Sequence, residues 1–198
     1  MTTASSRPEP SNAPLGGSGF RDPVTRSLLG HAGFTTPALE AIVGTSLAVR
    51  VLQQYDTDAW RLPTRVADAL HLSKRDQVLV RRSELTDGER TVSTNLVFAV
   101  RGRAADYGVD DDATPIGRSL MSRGAQQQRH ILRVALGAWP DGRSCAARSY
   151  VMLIDGQPVC YIREFFSPDL VLPGHRDPRG HSTWDDEPQP SVAHSPVQ

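Results

Sequence analysis

The chain has 198 residues, and its 22 Lys and Arg balance its 22 Asp and Glu, so the formal net charge is zero. Such a balance gives no electrostatic reason to expect a nucleic-acid or membrane partner. The two cysteines are too few for a disulfide framework and lack metal-ligand spacing. Because no apolar run approaches the roughly 20 residues that cross a bilayer and the start is polar, we expect a reduced, cytoplasmic protein.

Both ends of the chain are rich in Ser, Pro and other small or polar residues. Segments of this kind bury too little apolar surface to offset the entropy of ordering them. We therefore predict disordered tails over residues 1–24 and 173–198, around one folded domain over residues 26–172. The histidines of the C-terminal segment match no known spacing of a metal site, so we predict no metal.

The first half of the folded part alternates short helices with a strand. A helix is predicted over residues 35–43, because Thr35 or Thr36 can cap its start, a proline suits its first turn and a glycine follows it. The β-branched run over residues 46–55 predicts a strand. Apolar residues at helical spacing then predict a second helix over residues 64–72.

Most of the second half is typical of hairpins. Strands are predicted over residues 76–85 and 90–100, joined by an Asp-Gly pair that tolerates the positive φ values of a tight turn. Strands over residues 127–139 and 145–155 follow. A second Asp-Gly pair then leads into a last strand that ends at Phe166.

Two segments lie between these hairpins. Residues 106–112 form an acidic loop that lacks the spacing of a calcium loop, so we interpret it as a solvated loop and helix cap. Residues 114–121 predict a loop that enters a short helix, whose first backbone N–H groups have no internal partner and suit an anion.

The predicted fold class is α+β. About six strands, mostly joined by hairpins, predict an antiparallel sheet with two or three helices packed on it. The two Asp-Gly hairpins share a loosely similar sequence pattern, so we expect them to be pseudo-symmetric halves of one sheet.

Strand parity selects two charged residues that face inward. Glu164 shares a face with Ile162 and Phe166, so its carboxylate is paired, neutralised or functional, unless the strand is an edge and Glu164 points to water. Arg81 lies among apolar neighbours on its strand, whereas Arg82 shares the other face with an acidic residue. An arginine and a glutamate in an apolar pocket can clamp a carboxylate and handle a hydroxyl or ether oxygen.

Several known catalytic motifs are absent: there is no Gly-rich phosphate loop, no Gly-x-Ser-x-Gly elbow and no His-Glu-x-x-His. Residues 148–168, however, resemble the last hairpin of the chorismate pyruvate-lyase family, with an arginine-led strand, a turn and a Glu before two bulky apolar residues. Residues 114–117, Thr-Pro-Ile-Gly, resemble that family's Thr-Pro-Leu-Gly. The strand around Arg81 resembles its Leu-Arg strand, and residues 46–47, Ser-Leu, match its Ser-Met.

The resemblance, which spans residues 35–168 in order, implies a function. Members of that family convert chorismate to 4-hydroxybenzoate and pyruvate without metal or cofactor. The resemblance implies that Arg81 grips the ring carboxylate, helped by the backbone amides of Ile116 and Leu47, with Gly117 beside them. It assigns Glu164 the role of general acid at the leaving enolpyruvyl oxygen, with a pKa raised by its apolar neighbours.

The ligand implied is a small aryl or cyclohexadienyl carboxylic acid, bound by a monomer or homodimer. Two departures leave alternatives open. The turn after Glu84 is one residue shorter than in the family, so Arg82 is an alternative to Arg81. Thr94 and Asn95 stand where the bacterial ubiquinone-pathway members have Gly-Arg, which removes a second positive charge near the pocket.

A second class shares this fold. Residues 66–85 resemble the ligand-sensing domain of a family of bacterial transcription regulators, whose members bind small molecules and catalyse nothing. Those regulators carry a winged-helix domain in front, and we expect the residues ahead of position 35 to be too few for one. They also need no Glu at position 164. A non-catalytic accessory protein of a biosynthetic pathway is a third possibility.

Overall fold

A computed structural model of the chain describes residues 19–109, 116, 119 and 126–176. Six strands form one antiparallel sheet, which confirms the predicted α+β class. The strands are β1 Ala48–Asp58, β2 Gln77–Asp87, β3 Arg90–Val100, β4 Gln127–Ala138, β5 Ser144–Ile154 and β6 Gln157–Phe166. The α-helices are α1 Pro23–Gly30, α2 Thr35–Val43, α3 Thr64–Ala69 and α4 Arg101–Ala104.

The strand order is β1-β2-β3-β6-β5-β4. Each half of the chain therefore makes a three-stranded meander, and the last strands of the two meanders, β3 and β6, pair at the centre of the sheet. The edge strands also match, because β1 has a register shift between Val51 and Gln53 and β4 has one between Ile131 and Arg133. This order is the one expected of two pseudo-symmetric halves.

Both Asp-Gly pairs turn the chain as predicted. Asp155 and Gly156 have φ values of 49° and 76° and form the whole two-residue loop between β5 and β6. Positive φ at both central residues is the geometry of the type I′ turn, whose twist matches that of the flanking strands. In the β2–β3 loop Gly88 has the positive φ, 60°. Each turn sets the register of its hairpin in the residues next to the turn.

The two faces of the sheet carry different cores. On one face, α1 and α2 pack over an apolar cluster at one end of the sheet, and α4 packs over another cluster at the other end. On the opposite face, α3 covers a third cluster. Of the helices in the described residues, none is long and apolar enough to cross a membrane.

The packed part extends beyond both predicted boundaries, 24 and 173. Asp22 caps α1 by accepting a hydrogen bond from the Thr25 backbone N–H at 2.7 Å, and Pro23 occupies the first turn. Phe20 is fully buried and contacts the His175 ring at a centroid distance of 5.0 Å. The composition of the N-terminal segment did not predict these contacts, because a single aromatic residue, Phe20, anchors a segment that is otherwise polar. Residues 1–18 and 177–198 lie outside the described residues.

The segments between the hairpins are only partly described. Residues 106–109 of the acidic loop are described, with a 3-10 turn over Ala105–Tyr107. Of the predicted helix entry at 114–121, the described residues are Ile116 and Ser119, both helical.

Candidate active site

A cavity opens on the face that carries α1, α2 and α4, between the two apolar clusters of that face. Its volume is about 60 Å³. Arg81 from β2 and Glu164 from β6 both line it, and they are 1% and 5% exposed. The other lining residues are Thr35, Thr36, Val49, Ser83, Leu85, Asn95, Val97, Ile116, Arg129, Tyr150, Met152 and Ile162. The wall is therefore mostly apolar, with a few polar groups.

The sheet register sets the distance between the Cα atoms of the two predicted charged residues, Arg81 and Glu164. Glu164 pairs with Asn95, which pairs with Ser83. Arg81 lies two residues from Ser83 on β2, so its Cα is two strand spacings and two residues away from that of Glu164. With strands about 4.8 Å apart and a rise of about 3.3 Å per residue, the two Cα atoms are about 12 Å apart. Both side chains nevertheless reach the same cavity.

The Glu164 carboxylate is held by three donors from two elements, β5 and α2. Arg148 of β5 donates from Nε to Oε2 at 2.8 Å, and the Tyr150 hydroxyl donates to Oε1 at 2.9 Å. The Thr35 hydroxyl at the start of α2 donates to Oε1 at 3.0 Å. The predicted pair of Arg81 with Glu164 thus faces one cavity, but the direct ion pair of Glu164 is with Arg148.

These partners reverse the predicted titration of Glu164. Burial alone would raise the pKa of this carboxyl, but Arg148 and then Arg129 hold the pKa below its usual range. The predicted raised pKa is wrong because strand parity reveals the apolar neighbours of Glu164 and not the guanidinium groups brought in by other strands. Burial raises the pKa of Tyr150, so its hydroxyl stays protonated and donates. Glu164 is therefore an ionised acceptor near neutral pH.

Arg148 also joins the helices to this carboxylate. Its Nη1 donates to the carbonyl oxygens of Leu28 at 2.7 Å and His31 at 2.9 Å, at the end of α1. Its Nη2 donates to the Thr35 hydroxyl at 2.8 Å. A cation at the C-terminus of a helix interacts favourably with the helix dipole and satisfies carbonyls that have no partner within the helix. One buried side chain thus positions α1, α2 and Glu164 together.

Sequence reasoning missed Arg148 because of a register shift. Near the turn, Leu153 pairs with Pro158, and continuing that register would place Arg148 opposite Arg163. The irregularity between Met152 and Leu153 advances the pairing by one residue, so Arg148 lies opposite Glu164. An arginine that leads the strand before an inward glutamate was the available signal, but the residue opposite it depends on this irregularity.

Thr35 was also misassigned. It was predicted as a candidate cap of α2, but the N-cap residue is Phe34 and no side chain caps the helix. The Thr35 hydroxyl instead donates to Glu164, which is 129 positions away in the chain. Gly44 ends the helix in the left-handed region, at φ 78°, as predicted.

Arg129 of β4 is a second cation of the cavity. It is 9% exposed, and its guanidinium carbon lies 5.0 Å from the centroid of the Tyr150 ring and 5.7 Å from that of Phe34. Its Nη1 donates to the Thr35 hydroxyl at 3.0 Å and to the carbonyl oxygen of Gly33. Local pattern did not predict a site role for this residue, because β4 is an edge strand whose side chains alternate without a clear apolar face.

Of the remaining predicted site residues, one lines the cavity and the others do not or lie outside the described residues. Ile116 lines the cavity. Leu47 is buried, is not among the lining residues, and its backbone N–H donates to Glu40 Oε1 at 2.8 Å, so that amide is already engaged. Gly117 lies outside the described residues. Arg82 borders a depression on the opposite face, so of these two neighbours Arg81 is the one that lines the cavity.

Replacing Arg148 tests the cost of leaving Glu164 buried without its nearest cation. Arg148→Met removes the ion pair and the bonds to α1, and we expect a loss of about 3–5 kcal/mol in the free energy of unfolding, measured with urea. The matched control is Arg50→Met, because Arg50 makes an exposed ion pair with Glu84 in the same sheet; it should cost at most about 1 kcal/mol. Equal costs for the two variants would contradict the role of Arg148.

The lowered pKa of Glu164 makes its stabilising effect dependent on pH. Its charge contributes stability that is complete above the unfolded value, about pH 4.3, and is lost as pH falls through the lower folded value. We therefore expect the difference in unfolding free energy between the wild type and Glu164→Gln to be constant near neutral pH. In acid, the wild type should lose unfolding free energy relative to Glu164→Gln, because the Glu164 carboxylate becomes protonated. Urea denaturation across this range measures it, and a shift in favour of the wild type would show a raised pKa instead.

Solved structures similar to this chain show its fold. The gene product SA0254 of Staphylococcus aureus matches with a TM-score of 0.56 and 12% identity, over 70% of this chain and 90% of that one. The effector domain of PhnF from Mycobacterium smegmatis matches with a TM-score of 0.53 and 19% identity, over 69% and 90%. A possible transcriptional regulator, YydK of Bacillus subtilis, matches with a TM-score of 0.50 and 9% identity, over 63% of this chain. The chain spans 59% of the length of YydK.

None of the curated proteins compared with the chain matches it. The sequence model of one protein family, described as "Chorismate pyruvate-lyase Rv2949c-like", matches residues 28–172. That range takes in every strand of the sheet and the residues Arg81, Arg129, Arg148 and Glu164. The chain therefore belongs to the Rv2949c-like chorismate pyruvate-lyase family.

Proposed function

We propose that this protein is a chorismate lyase, which converts chorismate to 4-hydroxybenzoate, or a related hydroxybenzoate, and pyruvate. The observation that carries the proposal is the cavity in which Arg81 and an ionised Glu164 enter from points about 12 Å apart. Arg81 binds the ring carboxylate, because a guanidinium matches a carboxylate with two parallel hydrogen bonds. Glu164 then faces the hydroxyl-bearing part of the ring.

An ionised Glu164 acts as a base rather than as the general acid that the family resemblance implied. A carboxylate has about four acceptor positions, and three donors among the described residues occupy it, which leaves one for the substrate. The carboxylate takes the proton from the ring carbon that carries the hydroxyl group, and this electron pair completes the aromatic ring. The bond between the ring and the enolpyruvyl oxygen breaks, and the released enolpyruvate takes a proton from water to become pyruvate.

Arg148 and Thr35 support this step through Glu164. Both donate to the Glu164 carboxylate, so they fix its orientation and keep it ionised before the substrate binds. Ile116, Val97 and Ile162 supply apolar walls for the ring. An apolar pocket with a few placed polar groups is the usual form of a small-molecule site.

A non-catalytic ligand-binding domain is the second candidate. The solved structures include an effector domain of PhnF and the possible regulator YydK, and proteins of one fold often differ in function. In that case the same cavity would bind a small aryl acid, and Glu164 would fix its position without accepting a proton.

Pyruvate release distinguishes the two candidates. We expect the purified chain to form pyruvate from chorismate in an assay coupled to lactate dehydrogenase. Glu164→Gln keeps the shape of the side chain but removes the base, so turnover should fall by about 10²- to 10⁴-fold. Binding of 4-hydroxybenzoate, followed by calorimetry, should change little. Wild-type protein that binds chorismate but releases no pyruvate above the uncatalysed background would support the binding domain.

Removing the carboxylate clamp should weaken product binding. Arg81→Ala should weaken binding of 4-hydroxybenzoate by roughly 2–3 kcal/mol, the contribution of a charge-assisted pair of hydrogen bonds. Arg82→Ala is the matched control, since Arg82 is the neighbouring residue and borders the opposite face, and it should leave the affinity unchanged. A loss in Arg82→Ala alone would place the ligand on the other face of the sheet.

A further inference from the structure

We propose that residues 184–187 of this chain, Trp-Asp-Asp-Glu, dock on the sheet face opposite the candidate active site. The docking surface is the depression that Arg82 borders, and its volume is about 470 Å³. It lies between the apolar cluster under α3 and the turn that joins β4 to β5. The proposal does not depend on lyase activity, because it concerns the other face of the sheet.

This depression is an open part of the sheet face. The residues that line it come from strands and from the β4–β5 turn, and none of those that the structure describes belongs to a helix. Three of them are apolar and large, namely Leu52, Leu96 and Phe165. Leu52 lies at the register shift of the edge strand β1 and is 57% exposed. Apolar side chains around an open depression are the usual mark of an interaction site.

Two arginines make the depression attractive to anions. The sheet register places Arg82, Leu96 and Arg163 side by side on three neighbouring strands. The two arginines thus flank one leucine, and their Cα atoms are about 10 Å apart, at two strand spacings. Glu84 is the one carboxylate among the described lining residues, and it already accepts hydrogen bonds from Nε and Nη2 of Arg50. The surface therefore suits a segment that carries both acidic and aromatic side chains.

Residues 177–198 supply a segment of that chemistry. They contain four acidic residues and one arginine, and three of the acidic residues directly follow Trp184. An indole ring packs on apolar side chains and on guanidinium groups, whereas carboxylates form charge-assisted hydrogen bonds with arginine. Residues 1–18 contain one acidic residue and no aromatic residue, so the complementary segment is the C-terminal one.

The path of the chain allows this segment to reach the depression. After β6, the Asp169 carboxylate accepts a hydrogen bond from Nη1 of Arg143 at 2.6 Å, beside the β4–β5 turn. Pro140 of that turn lines the depression. Trp184 is eight residues beyond Arg176, where the described chain ends. Eight extended residues span up to about 26 Å, more than twice the separation of roughly 10 Å between packed layers.

Docking at this place covers the reverse side of the strand that carries Glu164. Arg163 and Phe165 line the depression, and they are the residues on either side of Glu164 in β6. Because the segment is attached to the domain, its effective concentration at the surface is of the order of 1 mM. Contacts of modest strength therefore suffice to keep it bound.

Fluorine NMR of the full chain, labelled with 5-fluorotryptophan, tests the docking at the level of one residue. The chain has three tryptophans, and the variant Trp184→Phe identifies the resonance of Trp184. We expect this resonance to be as broad as those of Trp60 and Trp139, because a docked side chain tumbles with the domain. In Arg82→Gln it should narrow by about two-fold or more, because a released segment moves on the faster timescale of chain termini.

Further samples keep the result interpretable. The double substitution Asp185→Asn and Asp186→Asn leaves the domain unchanged and should narrow the Trp184 resonance as well, so it decides the matter if Arg82→Gln does not fold. Adding 1 M NaCl, which shortens the screening length to about 3 Å, should act in the same direction. Arg101→Gln is the matched control, because Arg101 is an exposed arginine that pairs with Asp56 away from the depression, and it should leave the resonance unchanged.

Three results would overturn the proposal. One is a narrow Trp184 resonance in the wild type, which would show that the segment is not bound. Another is a broad resonance that neither Arg82→Gln nor the aspartate substitutions narrow, since the segment would then bind elsewhere. The third is a resonance that narrows on dilution of the protein, because the segment would then bind a second copy rather than its own domain.

Discussion

The buried ion pair between Arg148 and Glu164 is the interaction on which the rest of the site depends. The two side chains are 0% and 7% exposed and 2.8 Å apart. Burying a single carboxylate at this position would be costly, and the pair offsets that cost only because further donors complete it. Arg148 also bonds to the end of α1, so the helices that cover the cavity and the carboxylate inside it are ordered together.

The meander symmetry explains why the charged groups converge. The two central strands β3 and β6 provide the floor of the cavity, while β2, β5 and β4 each send one arginine toward it. Under the proposed function, the apolar walls, the arginines and the ionised carboxylate of this pocket bind an acid with a hydroxyl-bearing ring.

The sequence predicted those features that depend on neighbouring residues. The alternation of side chains placed Arg81 and Glu164 inward, and the Asp-Gly pairs located both central turns, because these properties are local. Arg148 was not predicted as the partner of Glu164 because one register irregularity between β5 and β6 decides that pairing. The site roles of Thr35 and Arg129 were not predicted because their partners are distant in sequence. The direction of the pKa shift of Glu164 was not predicted for the same reason, since Arg148 and Arg129 come from other strands.

A crystal structure of the protein with 4-hydroxybenzoate tests the central claim most directly, namely that one small acid spans the cavity from Arg81 to Glu164. We expect the ring between Val97 and Ile162, its carboxylate on the Arg81 guanidinium and its phenol oxygen within hydrogen-bond distance of Glu164. A ligand bound on the opposite face, or one in the cavity whose carboxylate avoids Arg81, would contradict the account.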